Sequence, residues 1–65
     1  MKFKIKITGN LSSVKNKLKL ISSHYYEDFL LPDIVFVDIN KDNYYYLKSI
    51  KDIKIEKESY GYLTV

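Results

Sequence analysis

From Lys2 to Ile7 the chain alternates without exception, with Phe3, Ile5 and Ile7 on one parity and Lys2, Lys4 and Lys6 on the other. A period of two marks a strand with one face in a core and one in water. Such a strand needs other strands for its backbone groups and a layer to cover its apolar side. A 65-residue chain has little material for that cover. Chains of this size bury only about 60% of their unfolded surface, so one thin-cored domain over residues 1–65 is expected. Small scaffolds often add disulfides, a metal or a second chain. The chain has no Cys and one His, His24, which rules out disulfides, thiolate zinc sites and a histidine-rich metal site.

Gly9-Asn10 interrupts the alternation, and Asn10 is placed to cap a helix. Leu11, Val14, Leu18, Ile21 and Tyr25 follow at helical spacing and form one apolar stripe. Lys15, Lys17 and Lys19 lie mostly off it. The spacing predicts a helix over 11–26, too short a heptad pattern for a coiled coil. Pro32 blocks any continuation. Residues 34–39 are β-branched and nearly all apolar, which predicts a central strand.

Asn40 to Asn43 is a cluster of turn residues, and Tyr44-Tyr45-Tyr46-Leu47 follows. Aromatic residues favour strands, so a hairpin is the favoured reading. The competing reading is a helix capped by Asn40, with Tyr46, Ile50 and Ile53 along one side. Ile53 and Ile55 restart alternation, and residues 60–65 read as a last strand. The expected fold class is α+β, with one helix packed on one face of a small, mostly antiparallel sheet of four or five strands, in the order β-α-β-β-β-β. Both ends lie in or beside strands, so edge pairing into a homodimer is a further expectation.

The net charge of +3 is unevenly distributed. Residues 1–26 hold six of the eleven lysines and no acid, while residues 27–65 hold all eight acids. Such asymmetry points to an acidic partner surface, or simply to lysines solubilising a strand and a helix. All eleven basic residues are Lys, so bidentate guanidinium recognition of bases or phosphates is excluded. No stretch approaches the roughly 20 apolar residues of a membrane span, and the lysines of the first strand interrupt any signal-peptide core. The expected location is therefore the cytoplasm, that of a host cell if the chain is a phage product.

Catalytic and cofactor chemistry finds little support. Asp38, Asn40 and Asp42 have the spacing of the first calcium-loop ligands, but Asn43 stands where Gly is needed and Ser49 where Glu is needed. His24 has carboxylates nearby in sequence, Glu27 and Asp28, but no marked nucleophile. The only glycines, Gly9 and Gly61, cannot form a phosphate loop. No enzyme activity, metal or cofactor is expected.

The aromatic content is more informative. Seven Tyr fall in three clusters: Tyr25-Tyr26, Tyr44 to Tyr46, and Tyr60 with Tyr62. Read as strand residues, Tyr44 and Tyr46 share a face, and so do Tyr60 and Tyr62. Exposed Tyr anchors protein interfaces and also stacks nucleobases. Tyr60-Gly61-Tyr62-Leu63 resembles the aromatic centre of the RNA-recognition-motif signature, and Gly9-Asn10-Leu11 is similar to the end of that family's first-strand signature. The chain departs from it at Glu58, Ser59, Val65 and Ile7. It also stops where the resemblance would place a second helix and a fourth strand. It is not assigned to that family.

Two functional expectations follow. One is a non-enzymatic protein-binding module with Tyr44, Tyr46, Tyr60 and Tyr62 as contacts, and lysine flanks steering a partner with an acidic surface. Small size and residues with A/T-rich codons suggest a phage or mobile-element protein that blocks a host enzyme or defence nuclease. The alternative is a single-stranded nucleic-acid binder, RNA above all, using Lys2, Lys4, Lys6, Tyr60 and Tyr62 on one sheet face. Whether the lysines and the tyrosines face the same way separates the two.

Overall fold

In a computed structural model that describes residues 1–58, the alternating segment is the strand β1 (Lys2–Ile7). It is followed by α1 (Leu11–Ile21), β2 (His24–Glu27), β3 (Ile34–Asp38), α2 (Lys41–Ser49) and β4 (Ile53–Glu58). The four strands form one sheet in the order β2-β3-β1-β4, and every neighbouring pair is antiparallel. A β-α-β-β-α-β chain in this order has the split β-α-β, or ferredoxin-like, topology.

One buried cluster explains the choice of faces. Phe3, Ile5 and Ile7 of β1 join Val35 and Val37 of β3, Val14 and Leu18 of α1, Ile39, and Leu47 of α2. The register pairs Phe3 with Val37 and Ile5 with Val35, so these side chains share one side of the sheet. Ile53 and Ile55 pair with Ile7 and Ile5 and pack against the same cluster. The lysines of β1 therefore project to the opposite side. β3 lies inside the sheet, as its unbroken apolar run implies.

α1 ends five residues earlier than its apolar stripe predicts. Asn10 caps its start, accepting the Ser13 N–H at 2.8 Å. At its end Ser22 is extended, with its hydroxyl donating back to the Leu18 carbonyl. Ser23 N–H then donates to the Asp38 carbonyl at 2.8 Å, and His24 to Glu27 pair along β3. Tyr25 keeps its place against the core, but reaches it from a strand opposite Val37. Local spacing could not separate the two, because Tyr25 lies on the inward side under either period.

The hairpin expected after Asn40 is a helix, and the predicted single helix becomes two. Asn40 repeats the device of Asn10, accepting the Asn43 N–H at 2.9 Å. Tyr44 and Leu47, three residues apart, both turn toward the core, and the Tyr44 ring stacks on Phe3 with centroids 5.5 Å apart. Asn43 Nδ2 donates to the Ile21 carbonyl at 3.1 Å, joining the start of α2 to the end of α1. A three-residue period with a satisfied cap outweighs the strand preference of Tyr here.

α2 and β4 also supply the elements that the RNA-recognition comparison found missing. They precede residues 60–63, so that signature does not fall on the third strand. The expected strand over 60–65 lies outside the described residues. β1 is an inner strand, and the sheet edges are β2 and β4. Two close approaches hold the α2–β4 turn. Thr8 N–H donates to the Asp52 carbonyl at 2.7 Å, and a Cβ on Gly9 would lie 2.5 Å from Asp52 Cβ. Asp52 itself has φ of 66°, the left-handed region that suits glycine.

Candidate functional site

The register arranges the side of the sheet away from the core in rows. Tyr26 of β2 pairs with Phe36 of β3, and Phe36 with Lys4 of β1. His24, Asp38 and Lys2 form a second row, and Ile34, Lys6 and Lys54 a third. Tyr26 is 64% exposed, and Phe36 is half-buried in the middle of the face. Two acids of this face, Asp38 and Glu56, are engaged. Asp38 Oδ1 lies 3.1 Å from the amino group of Met1, and Glu56 Oε2 lies 3.8 Å from Lys54 Nζ. Among the described residues no ion pair involves Lys2, Lys4 or Lys6.

A second feature was not singled out in the sequence. The β2–β3 connection carries Phe29, Leu30 and Leu31, which are 96%, 80% and 52% exposed. Its backbone is well tied. Asp28 Oδ2 accepts the N–H groups of Leu30 and Leu31 at 3.0 and 2.8 Å. Asp28 N–H donates to the Ile34 carbonyl at 2.9 Å, and Ile7 N–H to the Asp33 carbonyl at 2.7 Å. Three large apolar side chains thus stand in water on a hydrogen-bonded turn. Together they expose a few hundred Å², the size class of functional surface patches. Glu27, Asp28 and Asp33 flank them along the chain. The signal available in the sequence was an apolar triplet bracketed by Asp28 and Pro32, two residues that favour turns.

Of the four predicted tyrosine contacts, the two among the described residues, Tyr44 and Tyr46, do not share a face. Tyr44 is committed to Phe3 and lies on the core side, while Tyr46 is half-exposed on another side of α2. Tyr60 and Tyr62 lie outside the described residues. The strand-1 lysines and Tyr44 face opposite ways, and among the described residues the aromatics that share the lysine face are Tyr26 and Phe36.

The remaining sequence candidates have structural roles. Asn40, the middle residue of the calcium-like spacing, is a helix cap. His24 is exposed on β2 rather than placed at a helix end. Beside it, Tyr25 hydroxyl donates to Glu27 Oε2 at 3.0 Å, and Lys15 Nζ lies 3.5 Å from Glu27 Oε1. Burial, then the Glu27 hydrogen bond and charge, push the Tyr25 phenol well above its ordinary range. The same hydrogen bond is the leading cause that holds the Glu27 carboxyl below its usual value. Among the described residues no three His, Cys, Asp or Glu side chains are grouped to hold a metal, and no helix is long and apolar enough to cross a membrane.

In comparisons with known proteins, no family model, no curated protein and no solved structure matches the chain significantly.

Proposed function

We propose that this protein is a non-enzymatic binding module that engages another protein through the tip formed by Phe29, Leu30 and Leu31. The observation that carries the reading is their exposure on a turn whose backbone is held by Asp28. A turn already ordered loses little further entropy on docking, so burial of its side chains contributes more fully to affinity. Phe29 and Leu30 are the anchors, each worth about 1.5–3 kcal/mol when fully buried. The acidic flanks call for an apolar pocket with a cationic rim. The lysine run read in the sequence as steering an acidic partner lies on β1 and α1, away from this tip.

The test is quantitative capture from host-cell lysate by the wild-type chain and by Phe29→Ser/Leu30→Ser. Both residues are largely solvated in the folded protein, so the variant should melt like wild type. A partner held by wild type should lose about 100-fold or more in affinity, from about 3 kcal/mol of lost burial. Equal capture by the two proteins would refute the reading.

A further inference from the structure

The other face of the molecule carries a different chemistry. Lys2, Lys4 and Lys6 repeat along β1 every ~6.7 Å, the spacing of alternate residues in a strand. An extended polyanion can follow such a row. Lys6 stands directly opposite Lys54, a like-charge pairing that destabilises a sheet unless something neutralises it. Glu56 lies near Lys54, while among the described residues Lys6 has no ion pair. Beside the row, Phe36 is the cross-strand neighbour of Lys4, and Tyr26 pairs with Phe36 one strand further out on the same side. Lysines along one line with aromatic rings beside it match the two components of single-strand recognition, phosphate neutralisation and base stacking. A folded acidic protein would satisfy the charges but would make no specific use of the exposed Tyr26 ring beside them.

We propose that this sheet face binds a single-stranded nucleic acid, with phosphates along Lys2, Lys4 and Lys6 and bases stacked at Tyr26 and Phe36. Binding here is independent of the apolar tip and shares no residue with it. Without arginine, recognition rests on charge and stacking, so it is tolerant of sequence. Unpaired bases are required, because a duplex keeps its base faces stacked inside.

The experiment is fluorescence anisotropy of labelled oligo-U and oligo-dT 12-mers with the full chain, at 50 and 150 mM salt. Three phosphate contacts predict a slope of about −2 in log K against log salt, hence roughly tenfold weaker binding over that threefold rise. Lys2→Gln/Lys4→Gln/Lys6→Gln should abolish most of the slope. Tyr26→Thr, which keeps strand preference, should weaken binding at least about fivefold at either salt. Phe29→Ser/Leu30→Ser should bind the oligonucleotides like wild type, which separates this proposal from the tip. Far-UV melts establish that each variant is folded. The proposal is overturned if the strands do not bind at 50 mM salt, or if duplex DNA or heparin binds as tightly as they do. Full affinity in Tyr26→Thr would also overturn it.

Discussion

Replacing Leu47 with Ala tests how α2 is joined to the rest of the molecule. Leu47 is fully buried and is the one α2 residue in that class, so its side chain carries much of the attachment. Leu→Ala at such a site costs about 2–5 kcal/mol. A 65-residue domain has about 3–10 kcal/mol in total. Unfolding entropy of about 2.1 cal/mol/K per residue makes each kcal/mol worth roughly 7 °C at this length. Leu47→Ala should therefore lower Tm by about 15–35 °C, or unfold the protein outright. Tyr44→Ala should cost about 2 kcal/mol, since it removes the stack on Phe3 and the burial beside it. Tyr45 and Tyr46 are 72% and 50% exposed, and their Ala variants should stay within about 0.5 kcal/mol. The assay is thermal and urea unfolding followed by circular dichroism at 222 nm. The pattern matters more than any single value. Costs at Tyr44 and Leu47 follow a helical period. Costs pairing Tyr44 with Tyr46, or Tyr45 with Leu47, follow a strand period and would refute the placement of this segment.

Two further outcomes are expected. Gly9→Ala should destabilise by about 1–3 kcal/mol, because the new Cβ meets Asp52 Cβ and Cγ. Adding Asp52→Gly removes both atoms and relieves the left-handed backbone. Urea midpoints should then show recovery of at least half the loss, and additive losses would disprove the contact. Tyr25 keeps its proton in the folded protein to higher pH than in the unfolded chain, where a phenol ionises near 10. Its contribution to stability is thus complete below about pH 10 and is lost as pH rises beyond it. Absorbance at 295 nm should show a late-ionising phenol that titrates earlier in Glu27→Ala, and an unchanged curve would discount the Glu27 contact. Glu27 runs the other way: its contribution is present above the ordinary glutamate range and is lost as pH falls through its lowered value.

The legible parts of this chain are those whose local pattern has one reading. Phe3, Ile5 and Ile7 against three lysines can only be a half-buried strand, and Asn10 before Leu11 marks a helix start. Ile34 to Val37 reads as an inner strand. Ile53 and Ile55 restart the alternation that β4 realises. Tyr25-Tyr26 and Tyr44 to Tyr46 were less legible, because Tyr fits a strand well and a helix adequately. The apolar triplet was harder still. By composition Phe29, Leu30 and Leu31 belong in a core, yet they sit on a turn closed by Asp28.

The sequence by itself determined the side of β1 that carries charge, the two asparagine caps available to helices, and the exclusion of disulfide and thiolate-zinc chemistry. These follow from alternation and side-chain type, which act within a few residues. Only the tertiary structure decided that Tyr25 reaches the core from a strand and Tyr44 from a helix. Only it showed that Tyr26 and Phe36 join the lysine face and that Phe29 to Leu31 face water. Each of those outcomes depends on hydrogen bonds and packing between segments far apart in the chain. A segment whose own preferences are nearly balanced takes the conformation its distant partners can pair with and cover.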